Sequence, residues 1–139
     1  MLSSEFLIGT SVFLAVKFAG YRYAAVLLNR RYTAIEPVRA SLFGFARMLL
    51  GLLVSGGFAF STGSLGIVHS LPMMYLLLLP LRFIEWLVII WLFHERRSNG
   101  LDRMRLIKFA GTGTVWTYVL DIPAAISAVV FPGGMSTFC

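Results

Sequence analysis

A single cysteine, Cys139, leaves the chain no second thiol, which rules out an intrachain disulfide and a dithiol redox mechanism. Cys139 also stands outside the four-residue context that prenylation requires. Carboxylates are scarce, six Asp and Glu in 139 residues, and none falls with cysteine or histidine at metal-ligand spacing. Serine-nucleophile, phosphate-loop and dinucleotide motifs are missing as well, which disfavours hydrolytic and phosphoryl-transfer chemistry. The N-terminal stretch MLSSEFLIG lacks the basic segment and the small-residue cleavage site of a removable signal, so the first apolar run is expected to remain in the protein.

The two histidines, His69 and His94, would lie about 37 Å apart along a continuous helix and cannot share one metal within a monomer. His94 alone could give an axial ligand to a pigment or haem, but a solvated interfacial histidine is the plainer expectation. The cofactor, if there is one, is left undefined by the sequence.

What the chain has in excess is apolar surface. Hydrophobic residues make up 58%, charged residues 13%, and the mean hydropathy is +0.84. A soluble domain carries about 25% charged residues. Apolar runs at about 5–28, 38–60, 72–93 and 109–131 each meet the roughly 20 residues needed to cross a hydrocarbon core about 30 Å thick. The expected fold is therefore all-α: a single transmembrane domain over residues 1–139, with four helices joined by short loops.

The net charge of +6 follows the same plan rather than pointing to nucleic acid. Arg30, Arg31 and Arg39 flank the first connection, and Arg96, Arg97, Arg103, Arg105 and Lys108 fill the third. The N-terminal tip, the second connection and the tail after Phe131 carry no Lys or Arg. This asymmetry predicts that connections one and three are cytoplasmic and both termini extracytoplasmic, in a membrane of the bacterial inner type. Anionic lipid headgroups are the expected partners of the basic loops.

Five ionisable residues interrupt the apolar runs: Lys17, Arg47, Arg82, Glu85 and Asp121. Charge at the bilayer centre is costly, so such residues are expected to face a bundle interior and to pair with one another. Lys17 shares a helix face with Gly20, Tyr21 and Ala24, and Arg47 shares one with Ala40, Gly44, Gly51 and Ser55. Asp121 shares one with Thr114 and Thr117. Their depths differ by about three residues, or about 4.5 Å, so all five can meet in one layer. The spacing of Arg82 and Glu85 predicts an ion pair along one helix, with Trp86 stacked on Arg82 and with Lys17 or Arg47 bound to Asp121. Arg22, near a helix end, is expected to reach the headgroups.

Ser11, Ala15 and Ala19 form a small-residue stripe that permits close helix approach. Pro37 is expected in the first turn of the second helix, Ser70 as a cap for the third, and Asp102 as a cap for the fourth. Pro80 and Pro123 are expected to disturb their helices beside the charges. At an offset of 65, Leu14, Lys17, Phe18 and Arg31 fall on Leu79, Arg82, Phe83 and Arg96, a weak parallel echo between the two halves.

With no soluble domain or catalytic motif, the leading expectation is a non-enzymatic subunit that packs into a larger membrane complex, for example an energy-transducing one. The alternative is a small homo-oligomeric transporter or channel for an anionic or proton-coupled substrate, using the five midplane residues.

Overall fold

The computed structural model describes residues 4–33, 36–66, 71–98, 100 and 102–130. Four helices account for most of these: α1 (Ser4–Arg31), α2 (Ala40–Leu65), α3 (Leu71–Phe93) and α4 (Arg103–Val130), with a 3-10 turn at Glu95–Arg97 after α3. His69, Ser70, Asn99 and the tail 131–139 lie outside the described residues, so the expected Ser70 cap does too.

α1 packs on α2 and α4, and α3 packs on the same two helices, so the four close into a ring. α1 also runs antiparallel to α4, because Lys17 meets Asp121 while Gly20, further along α1, meets Trp116. The stretches Leu7–Arg31, Ala40–Ser64 and Tyr75–Arg97 are long and apolar enough to cross a membrane. Over its described residues, α4, a helix of 28 residues, is not among them.

α2 begins three residues after Pro37, not with the proline in its first turn. Asn29, near the end of α1, explains the delay. Its Nδ2 donates to the Val38 carbonyl at 2.8 Å and its Oδ1 accepts from the Val38 N–H at 3.0 Å. Both backbone groups of Val38 are thereby held outside the helical ladder. At its other end α2 runs beyond residue 60 to Leu65, through Gly56 and Gly57. Ser61, Thr62 and Ser64 fold their hydroxyls back onto the carbonyls of Gly57, Phe58 and Phe60, so these polar residues extend the helix instead of forming a loop. Gly66, at φ 64, closes it in the left-handed conformation that glycine adopts without a Cβ penalty.

α4 starts at Arg103, earlier than the apolar run suggests, because Asp102 caps it: the Arg105 N–H donates to Asp102 Oδ1 at 3.1 Å. α3 and α4 continue through Pro80 and Pro123 without interruption.

The core joins Tyr21, Ala25 and Leu28 of α1, Phe43 of α2, Trp86, Ile89 and Ile90 of α3, and Ala110 of α4. Trp86 is its centre. It lies 1% exposed, edge-on to Tyr21 at 6.0 Å, and donates Nε1 to Thr117 Oγ1 at 2.9 Å. Gly113 makes this position available, since a Cβ there would stand 2.3 Å from the indole ring. Gly113→Ala is therefore expected to lower stability despite the better helix propensity of alanine. Overpacking costs about 1–3 kcal/mol against a propensity gain of at most about 1 kcal/mol, and unfolding in mixed micelles measures the balance.

Candidate functional site

All five midplane residues turn inward. Lys17, Arg47, Arg82 and Glu85 are each 3% exposed or less, and the Asp121 side chain is 11% exposed. The local reasons differ by helix. Lys17 lies on the α1 face that also buries Gly20 and Tyr21. Arg47 lies on the α2 face whose small residues Gly44, Gly51 and Ser55 are all buried. Gly44 lets the α1 backbone approach, and a Cβ on Gly51 would sit 3.1 Å from the Arg47 guanidinium, so the small residues on either side of Arg47 create its room. Asp121 follows Thr114 and Thr117 down the inward face of α4.

The pairing departs from expectation. Glu85 binds Arg47 of α2 at 2.7 Å, not Arg82 on its own helix. Arg82 instead reaches Asp121 of α4 at 3.4 Å, and Lys17 of α1 binds the other oxygen of the same carboxylate. Residues three apart on a helix differ in direction by about 60°, so Arg82 and Glu85 point toward different neighbours, α4 and α2. Trp86 correspondingly stacks on Arg47, at 5.0 Å, rather than on Arg82.

The layer thus divides into two centres. The Arg47–Glu85 pair is formally neutral and lies between the Tyr21 ring, 5.1 Å from the guanidinium carbon, and Trp86. The Lys17–Asp121–Arg82 centre carries one positive charge beyond neutrality. Aromatic faces lie beside both of its cations: Phe13 at 5.3 Å from the Lys17 ammonium and Tyr118 at 5.3 Å from the Arg82 guanidinium. Such faces attract cations through the ring quadrupole. Tyr118 is itself fixed by donating its hydroxyl to the Tyr75 carbonyl at 2.8 Å. Lys17 and Arg82, one of the two basic pairs in the sequence echo, therefore converge on one carboxylate.

Hydrogen bonding within the layer is incomplete. Among the described residues, the three guanidinium nitrogens of Arg47, Nε of Arg82, both oxygens of Glu85 and Oδ2 of Asp121 make no aligned hydrogen bond to protein. Lys17 donates a directed bond to Asp121 Oδ1, whereas the Arg47–Glu85 and Arg82–Asp121 pairs are held by charge, an arrangement that leaves donor and acceptor capacity inside the bundle.

A second polar cluster, at the end of the bundle that carries the basic connections, was not legible as a site. Glu95 is 2% exposed. Its Oε2 accepts from the Tyr32 hydroxyl at 2.6 Å, and its Oε1 accepts from the Asp102 N–H at 2.7 Å and Arg105 at 3.0 Å. Arg105 also stacks on Tyr32, at 4.6 Å. Burial, followed by the bond to Glu95, raises the Tyr32 phenol above its ordinary range, while the bond to Glu95 raises Arg105. Tyr32 therefore stays the donor and Arg105 stays charged.

His94 is fully buried here, not solvated. Its ring lies 5.2 Å from Tyr32 and 5.6 Å from Phe43, and its Nε2 meets Asn29 Oδ1 at 3.0 Å. That oxygen already accepts from Val38, so Nε2 is the donor. The other ring nitrogen, Nδ1, is buried and makes no hydrogen bond among the described residues. Among the described residues no three metal-ligating side chains gather. Arg22 is exposed, as its place near the end of α1 suggested.

Comparison with family models, curated proteins and solved structures finds no match to this chain.

Proposed function

We propose that the protein is a non-enzymatic integral membrane subunit whose four helices all cross the bilayer and whose outer surface docks into a larger complex. The observation that carries this reading is the division of labour between inside and outside. The five midplane charges are bound to one another in the interior, while the perimeter offers apolar residues and the exposed stripe of Ser11, Ala15 and Ala19. Small residues on an outward face let a neighbouring helix approach closely in lipid. For α4, its length of about 42 Å supports a crossing, as do the outward Val115, Val119, Ile122 and Ile126, with Thr114 and Thr117 turned in. The first and third connections are tied together through Tyr32, Glu95 and Arg105, which puts their basic residues at one end of the bundle. The positive-inside bias then assigns that end to the cytoplasm and both termini to the other side.

Ala15→Leu with Ala19→Leu tests the docking face. Both positions are exposed, so the double variant is expected to unfold in micelles within about 0.5 kcal/mol of the wild type. Its particle, extracted gently from native membranes, should lose mass corresponding to the partner subunits. A variant particle of unchanged mass would count against docking through α1.

A second reading rests on the surplus cation and the unsatisfied donors of Arg47 and Arg82. These suit an oligomeric transporter for an anionic or proton-coupled substrate. In that case Glu85→Gln and Asp121→Asn, each retaining a hydrogen-bond acceptor, should abolish flux in proteoliposomes while the helices stay folded. Unaltered flux in both would exclude it.

A further inference from the structure

A groove of about 350 Å³ opens between α1 and α4, away from the charge layer, and its shape and charge indicate what fills it. On α1 it is lined by Ala24, Leu27, Leu28 and Arg31, and on α4 by Phe109, Thr112, Gly113 and Trp116, with Trp86 also contributing to its lining. The α1 residues span seven helical steps, about 10 Å along the helix axis. The groove exists because Ala24 and Gly113 are small while Trp116 holds the helices together beyond it, donating Nε1 to the Gly20 carbonyl at 3.0 Å.

Its polarity is one-sided. Ala24 and Trp116 lie toward the midplane, and Arg31 lies at the end where the basic connections meet. Arg31 forms no ion pair among the described residues. Thr112 turns its hydroxyl back onto the Lys108 carbonyl at 2.9 Å, leaving its methyl for the groove. Lys108, exposed and one turn before Thr112 on the same face, adds a second cation on the α4 side of the mouth. No carboxylate lines the groove. An apolar slot with Arg31 in its lining, and Lys108 one helical turn from its Thr112, complements a molecule with an apolar tail and an anionic head.

We propose that this groove is a binding site for an anionic glycerophospholipid, with one acyl chain between α1 and α4 and the phosphate between Arg31 and Lys108. The proposal rests on the membrane reading above and names a specific lipid site within it. A zwitterionic lipid has the same tail but a choline or ethanolamine cation beside the phosphate, which the two basic side chains disfavour. The apolar tail contributes affinity for either class, and Arg31 and Lys108 supply the preference.

The test uses the full chain, purified in mild detergent and first shown to resist carbonate extraction from membranes. Intact-mass measurement then follows retention of dioleoyl phosphatidylglycerol or dioleoyl phosphatidylcholine added at equal concentration. The wild type is expected to retain one phosphatidylglycerol in preference to phosphatidylcholine. Arg31→Gln should lower that preference about fivefold, the effect of one basic residue near an anionic surface. Thr112→Trp, at an exposed groove position, should block both lipids, and Ala24→Phe should do the same if the bundle accepts it. Equal retention of the two lipids by the wild type, or full phosphatidylglycerol retention by Thr112→Trp, would overturn the site. Loss of a protein dimer rather than a lipid on filling the groove would overturn it too. A chain released by carbonate would instead refute the membrane reading.

Discussion

Asp121→Leu is expected to destabilise the bundle by about 3–5 kcal/mol, the cost of removing one member of a buried ion cluster and leaving the Arg82 guanidinium without its carboxylate. Arg82 pairs with this carboxylate from a position 2% exposed, and Lys17, 1% exposed, loses it as one of its partners. Neither can reach water from its place in the bundle without tilting a helix. Asp121→Asn, which retains an acceptor oxygen, should cost less. The triple change Lys17→Met, Arg82→Met, Asp121→Leu should recover most of the loss, because it removes the buried cations along with the carboxylate. Unfolding in mixed detergent micelles, followed by helical circular dichroism, measures all three. If the triple variant were no more stable than Asp121→Leu, the loss would come from packing at residue 121 and not from charge.

The second large effect lies at the opposite kind of site. Glu95→Leu removes the acceptor for Tyr32, for the Asp102 N–H and for Arg105 in one step. Hydrogen bonds to charged groups contribute about 1.5–3 kcal/mol each, but Arg105 is a third exposed and can hydrate once released. Tyr32, 3% exposed, cannot, so a net loss of about 3 kcal/mol is expected. The damage should be local. Trypsin is expected to cut faster between Arg96 and Arg105 and between Arg30 and Arg39, while helix content falls little. Cleavage at the wild-type rate would show that the Glu95 network does not tie the two connections together.

These two clusters differ in how visible they are in the sequence. The inward direction of Lys17, Arg47 and Asp121 was legible because each shares a helix face with small or hydroxylated residues, and those faces are buried. Which cation meets which carboxylate was not, because it depends on the rotation of each helix relative to its neighbours. Arg82 and Glu85, adjacent on one helix, are separated by that rotation onto α4 and α2. The Glu95 cluster left a fainter trace: one acid among the basic residues that follow α3, with a tyrosine just after α1. Its partners lie 63 and 10 positions away, beyond helical periodicity. Helix ends were misjudged where side chains override the apolar pattern. Asn29 holds Val38 out of α2, and α2 continues to Leu65, whereas the start of α4 follows the expected Asp102 cap.

α4 illustrates a related point. Its inward Thr117 and Asp121 meet Trp86, Lys17 and Arg82, while Thr112 lies on the exposed side of the same helix.

The account stands most directly on the mass of the intact particle extracted from native membranes in gentle detergent. It predicts a hetero-complex of fixed stoichiometry in which this chain of 15.5 kDa is one member, with the charge layer holding the bundle in register. A particle containing only copies of this chain would contradict that role, and would make Lys17, Arg47, Arg82, Glu85 and Asp121 the residues to test for transport.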